Sequence, residues 1–554
     1  MMLQLAAAAM LLAGIVDQPY RYWNSEIVAA QSLPATAGTK LSADELAKLA
    51  AAQPPMPYRD ATVGIRASDG TLWVGAPKGL MQLAPKAARW RLFHSRIWLP
   101  SDEVKDLALD ADGAVWVQTA VGIVKLSQQS TTLETKMAAI NKELQAHHLR
   151  DGLVGSIHGP TPGKITADWK QGSDDNDGLW TSMYVAAEAF RYGATGAPDA
   201  KANAWKSLKA LMFLEQVTGI PGFAARSFWP ATPGFDAQKQ FGGEWHKSAD
   251  GKWWWKGDTS SDELDGHYFA YPLYFDLCAT PEEKKQIQAV VARITDHLVD
   301  HGYYYVGPSG KTTRWGVFAP EKLNHDLDWI VERGINSLEI LSHLKVAHHV
   351  CGDTKYADAA KKLIVEHAYA MNTVFQKLVW PLTEVNHSDD ELAFLAYYPL
   401  LWYEKDPQLR RIYLTSIQRS WLFERPEGSP FLNFIYASAR QASRWPNSAQ
   451  RPPEAFISPE KYDRDRCVEW FQLVPQDTIE WRVVNSDRQD LGELLKNRFD
   501  QARSSFVLPI DERRQMRWNG DPFELDGGSN GHSRDDGTFI LLPYWMGRYH
   551  RFLE

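Results

Sequence analysis

The chain is poor in the residues that announce the commonest functional classes. Three cysteines in 554 residues, Cys278, Cys351 and Cys467, are too few and too scattered for a disulfide framework or a zinc knuckle. Basic residues are outnumbered, with 60 Lys and Arg against 68 Asp and Glu. No positive excess exists to neutralise phosphates, so nucleic acid is not an expected partner. The one notable apolar run, MMLQLAAAAMLLAGIV, is 16 residues long, short of the roughly 20 that a membrane span needs. No membrane partner is expected. That run reads as the apolar part of an export signal without its basic flank, which makes a periplasmic or secreted protein the expectation. A His-Glu-x-x-His pair, a nucleotide-binding glycine loop and a nucleophile elbow are all missing.

Aromatic residues are abundant: 23 Trp, 22 Phe and 21 Tyr. Buried indoles remove a large apolar area from water, so many of these belong to cores. Flat rings also stack against the C–H faces of sugars, and the enrichment favours a carbohydrate ligand. The loop GKWWWKGD offers a candidate platform centred on Trp254.

Four regions are expected. Residues 1–30 are signal-like and 31–60, rich in Ala, Pro and Lys, form a linker. Residues 61–130 hold a repeat: VGIRASDGTLWVGAPKGLMQL matches LALDADGAVWVQTAVGIVKLS, with Asp-Gly turns at Asp69 and Asp112, 43 residues apart. Trp73 and Trp116 are equivalent. The period is that of a propeller blade, but two blades cannot close a ring, so a small antiparallel β module is expected. From 131 to 554 the periodicity is helical. KKQIQAVVARITDHLVDHG puts Ile287, Val290, Val291, Ile294 and Leu298 on one stripe, and Ile335, Leu338, Leu341 and Leu344 make another. Helices arrive in pairs, one member apolar nearly all round and its partner amphipathic. The fold class expected is mainly α: an α/α toroid, either an incomplete ring or a six-hairpin barrel, carrying the propeller-blade-like β module at its N-terminal side.

SSDELDGHYFAYPLYFD (260–276), HSDDELAFLAYYPLLWY (387–403) and RDDGTFILLPYWMGRYH (534–550) echo one another. Each starts with acids, turns aromatic and holds a proline inside, at Pro272, Pro399 and Pro543. Ser260 with Glu263, and Ser388 with Glu391, fit the capping box. If every inner helix of a toroid ran the same way, these starts, with the segments near 173–180 and 324–336, would line one funnel. The residues there suit two chemistries. A glycoside hydrolase needs two carboxylates, and Asp175, Asp177, Asp262, Asp265, Asp390 and Asp536 are available. A lyase acting on a uronate needs a cation for the substrate carboxylate, a base for the C5 proton and an acid for the departing oxygen. His267, Tyr268, Arg333 and His387 are the catalytic candidates. Asp175, Asn176, Trp180, Trp254, Asp262, Tyr271, Asn336, Asn530, His532 and Arg534 are the substrate-binding candidates. Which of Tyr268 and Tyr271 meets substrate stays open. No metal ligands are assigned. A divalent cation such as calcium is the one cofactor to consider, because DDNDG (174–178) has the look of a calcium loop. That pattern would start on Ser173 and end on Tyr184, however, which is a poor ligand set.

GDTSSDELDGHYFAYPLYFD, LNHDLDWIVERGINSLEILSHLKVAHHVCGD and WNGDPFELDGGSNGHSRDDGTFILLPYWMGRYH resemble segments of bacterial polysaccharide lyases that cleave L-rhamnose-α-1,4-D-glucuronate linkages. The likeness spans residues 60–554. It implies an α/α toroid with a small β region and action on rhamnose-capped arabinogalactan-type glycans. The reaction implied is an exo-acting β-elimination that releases L-rhamnose and leaves a 4,5-unsaturated glucuronyl end. The alternatives are an inverting glycoside hydrolase on uronate-containing glycans and a non-catalytic glycan-binding or sensor module.

Overall fold

The computed structural model describes residues 15–30, 32–377, 386–442, 459–514 and 520–554. The start of the signal-like run, residues 1–14, lies outside the described residues.

The repeat folds as two antiparallel meanders. Strands β1 (Tyr20–Val28), β2 (Thr39–Lys40), β3 (Val63–Arg66), β4 (Leu72–Ala76), β5 (Gly79–Leu83), β6 (Arg91–Phe93), β7 (Val104–Leu109), β8 (Val115–Thr119) and β9 (Ile123–Thr131) form two sheets, ordered β2-β3-β4-β5-β6 and β1-β9-β8-β7. Each copy turns on its Asp-Gly pair, where Gly70 and Gly113 hold φ of +88° and +82°, a region that glycine enters without strain. β1, part of the segment read as signal-like, pairs along its whole length with β9. The facing sides of the sheets share one core, including Ile65, Trp73, Phe93, Leu107 and Val117. The equivalent tryptophans part company there: Trp73 is buried against Trp23 of β1. Trp116 instead donates to Asp110 at 2.9 Å and lies under Lys125.

This module is tied to the far end of the chain by buried charge. Glu512 accepts from Arg89 and Arg488, each at 2.9 Å, and Asp511 pairs with Arg91. The Glu512 carbonyl meets His94 at 3.0 Å and Asn485 at 2.9 Å.

Helices occur where the apolar stripes put them. The longer ones are α1 (Leu133–Glu143), α2 (Asp177–Thr195), α3 (Pro198–Gln216), α4 (Ser261–Leu277), α5 (Pro281–Asp300), α6 (Arg333–Cys351), α7 (Thr354–His367), α8 (His387–Tyr403), α9 (Pro407–Glu424), α10 (Pro430–Ala442), α11 (Lys461–Leu473) and α12 (Thr538–Tyr549). All five residues of the α5 stripe are buried, as are the four of α6. The amphipathic α3, α5, α7 and α9 cover the buried α2, α4, α6 and α8.

The toroid expectation is corrected. The described residues hold 17 helices and several small separate antiparallel sheets, with no closed barrel or propeller. Strand takes 19% of the described residues against 46% helix, too large a share for a mainly α description. α4 packs on α2, on α6 and directly on α8, so side chains fill the middle that the toroid would have left open. A helix apolar on every side is buried on every side; that property does not specify a ring. Between the helices lie β12 (Ser227–Pro230), β13 (Trp245–Lys247) and β14 (Trp253–Lys256), ordered β12-β14-β13. A further sheet joins β10 (Ile157–His158), β11 (Lys170–Gln171), β15 (Ile479–Val484) and β16 (Asp526–Arg534) in the order β11-β10-β16-β15.

Arg488→Met leaves the buried Glu512 short of one partner and should destabilise the protein by about 3–5 kcal/mol. Urea unfolding followed by tryptophan fluorescence checks this, and an unchanged midpoint would show that the clasp contributes little.

Candidate functional site

The expected site residues fall in three places. The first is a buried acidic centre where the starts of α2, α4, α6 and α8 approach one another. Asn176 donates to Asp262 at 3.3 Å, and its side-chain oxygen takes a hydrogen bond from Arg226 at 2.6 Å. Asp175 pairs with Lys256 at 2.5 Å. Asp177 is fully enclosed and fully used: Ser173, Ser227, Arg150 and the Asp174 amide all donate to it. The calcium-loop pattern at 174–178 thus spends its Asp177 carboxylate on protein donors. Glu263 lies against the backbone of Gly178, so close that a Cβ there would meet its carboxyl at 2.0 Å. Ser260 makes no side-chain cap bond, so the capping box expected on α4 does not form and its glutamate turns inward. On α8 the cap residue is Asn386, whose amide is met by Asp390 at 3.1 Å.

Burial pushes the carboxyls of Glu263, Asp265 and Glu339 well above the usual carboxylate range. Nearby acids add to the effect, Asp262 on Asp265 and Asp265 on Glu339. Burial thus favours the neutral, protonated form of each. His267 is fully buried, with its Nδ1 3.1 Å from the Tyr271 hydroxyl, and burial lowers its pKa to about 4. Tyr268 turns to the other side: its hydroxyl bonds Thr295 at 2.7 Å and its ring stacks on His343 at 4.2 Å. Arg333 donates to the carbonyls of Leu323 and Asn324, and Asn336 to that of Val317, so both pin neighbouring chain.

The second place is the surface of β16. Asn530 and His532 line an open cavity of about 1000 Å³ with His158, Asp168 and Lys170, and His532 Nδ1 lies 2.8 Å from the Gly159 carbonyl. Trp180 and Arg534 line a smaller one of about 290 Å³ with Asp174 and Asp536. Arg534 also pairs with Glu143 at 2.9 Å. Trp254 stands apart on β14, under the Lys247 ammonium, while its neighbour Trp253 packs edge-on against Phe213 and Phe228.

The third place is a small cavity at His387, walled by Phe431, Trp470 and Phe539 and lined by Asp390, Glu391, Glu424, Glu427 and Arg513. His387 opens α8. Its Nδ1 is 3.1 Å from Glu427 and its Nε2 3.4 Å from Asp521. Burial works against charge on this imidazole, but the two carboxylates outweigh it and raise the pKa to about 10. The Glu427 and Asp521 carboxyls end below their usual values: in Glu427 a hydrogen bond with Glu424 and then contact with His387 outweigh burial, and in Asp521 contact with His387 does. Burial pushes Glu391 and Glu424 well above theirs and Asp390 up to about 6. Arg513 is lowered by burial to about 10 and remains cationic. Proton donors, proton acceptors and cations therefore line one wall.

Of the residues singled out from sequence, His387 lines this cavity as a catalytic candidate, Asp390 as one of the available carboxylates and Glu391 as a supposed cap. Glu424, Glu427, Arg513 and Asp521 were missed. Asp521 lies inside the quoted segment WNGDPFELDGG, and Glu424 and Glu427 sit i, i+3 around Arg425-Pro426, a spacing that would have put both on one side. No protein-family model matches the chain, and no curated protein matches its sequence. No helix among the described residues is long and apolar enough to cross a membrane.

His267 gives a pH test. Unfolded, it takes a proton near pH 6.5; folded, it resists protonation until about pH 4. Its contribution to stability is therefore whole above about pH 6.5 and is lost as pH falls through that window. The melting temperature of wild type relative to His267→Gln should fall between these two pH values. A constant difference would mean that the ring is already protonated in the folded state.

Proposed function

We propose that the protein is a carbohydrate-active lyase that cleaves a uronate linkage by β-elimination, with the His387 cavity as its reaction site. The observation that carries this reading is the convergence, in one aromatic-walled cavity, of two cations with carboxyls of opposite protonation. Arg513 and His387 would draw in the uronate carboxylate and make its C5 hydrogen more acidic. Asp390, half-ionised near pH 6, would remove that hydrogen. Glu424 or Glu391, held protonated by burial, would give a proton to the departing oxygen. Phe431, Trp470 and Phe539 supply faces for a sugar ring. A cavity closed on several sides suits the end of a glycan, hence exo action. The rhamnosyl-glucuronate resemblance names the linkage to try first, with release of L-rhamnose and an unsaturated glucuronyl end. A periplasmic or secreted enzyme would meet such a glycan directly.

An inverting glycoside hydrolase is the second reading, favoured by the opposed shifts of Glu424 and Glu427, which is how an acid and a base divide their roles. The products decide. Incubation with rhamnose-capped, glucuronate-containing oligosaccharides should release rhamnose with a rise in ultraviolet absorbance from the conjugated enoate. Release without that rise selects the hydrolase. His387→Gln should lower turnover at least ~100-fold while the protein stays folded; unchanged turnover would move the reaction to another place.

A further inference from the structure

Glu424 closes α9, Glu427 closes the 3-10 turn Arg425–Glu427 that follows, and His387 faces both from the start of α8. One imidazole nitrogen and one carboxylate oxygen from each glutamate all lie within 4.8 Å of one another. Glu424 is 2% exposed, and neither of its oxygens meets an N–H or O–H donor. The carboxyls of Glu427 and Asp390 stand within hydrogen-bond reach of it. Oxygens crowded this way in the interior are costly unless something positive sits among them. The far side of the imidazole supplies a second indication. With Nδ1 towards Glu427, Nε2 points at Asp521. A carboxylate behind one nitrogen fixes the ring and the tautomer, so that the other nitrogen can present its lone pair to a metal.

We propose that His387, Glu424 and Glu427 form a binding site for a divalent transition-metal ion of the zinc or manganese class, oriented by Asp521. One nitrogen and two oxygens leave at least one coordination position for water or substrate, as catalytic zinc sites do. Calcium, which takes six to eight oxygen ligands, fits this set poorly, in contrast to the cation considered from sequence. The inference concerns the cavity assigned to the lyase reaction and deepens that reading: the metal ion would replace the His387 cation in receiving the uronate carboxylate, with Arg513 beside it, and Glu391 rather than Glu424 would be the proton donor. Binding of the ion with loss of one proton each from His387 and Glu424 balances its two charges.

The test is made without glycan. The full chain, stripped with a chelator, is titrated with zinc or manganese alone and followed by calorimetry and elemental analysis. One ion per chain is expected, with calcium unable to compete. Glu424→Gln should weaken binding at least roughly 100-fold, and Asp521→Asn by about 10–100-fold. No saturable binding, or binding untouched by Glu424→Gln in a folded variant, overturns the proposal. Should that variant fail to fold, the cobalt-loaded wild type answers instead. Visible bands of a four- or five-coordinate ion with an imidazole ligand support the site, and an octahedral aquo-like spectrum overturns it. A bound ion without glycan turnover would keep the metal site and sink the lyase reading. Turnover indifferent to chelator, with no ion bound, would do the reverse.

Discussion

More carboxyl groups are carried into the interior of this protein than it has cations to receive them, and that constraint organises both its folding and its chemistry. The buried starts of α2, α4, α6 and α8 all bring acids inward, and each acid must be settled. Asp177 is settled by four donors. Asp389 and Glu332 share Lys377, and Asp390 takes Gln376 and the Asn386 amide. Asp265 meets His343 at 3.4 Å, and burial pushes Glu263, Asp265 and Glu339 towards keeping their protons. Breaking a buried pair costs more than the pair is worth, so these arrangements fix which helices can be neighbours as firmly as the apolar stripes do.

The same accounting joins the ends of the chain. Asp511 and Glu512 lie far from the β module in sequence, yet two of the three cations that neutralise them, Arg89 and Arg91, come from it, and the third, Arg488, from the loop after β15. Two blade-like repeats cannot close on themselves. They borrow β1 as an edge partner for one sheet and the 485–512 segment as a charged seat for the other, which explains how so short an array is stable.

Much of the local structure was legible. Stripes such as Ile287–Leu298 placed whole helices, because burying one face depends only on spacing along the chain. The 43-residue repeat gave both meanders for the same reason. The arrangement of helices was not legible: an all-round apolar helix is equally compatible with a ring and with a filled stack, and the direct contact of α4 with α8 depends on side-chain shape. The capping reading of Glu263 failed because Gly178 leaves a space on a different helix that only a residue without Cβ can leave. His267 and Tyr268, adjacent in sequence, face different neighbours, His267 towards Tyr271 and Tyr268 towards Thr295, as the 100° step of a helix requires.

The His387 cavity shows why its remaining residues escaped notice. Its parts come from the start of α8, the end of α9 and the segment around Asp521, brought together only by tertiary folding. Within it the general shortage of cations is acute, since Asp390, Glu391, Glu424, Glu427 and Asp521 face one imidazole, Arg513 and, at Asp521, Arg503. Elsewhere the protein relieves such crowding with protons held in sealed packing. Here the crowded groups border a cavity, where a proton, a metal ion or a substrate can come and go. A charge shortage that is structural ballast in the sealed centre becomes, at an opening, a capacity to bind and to exchange protons.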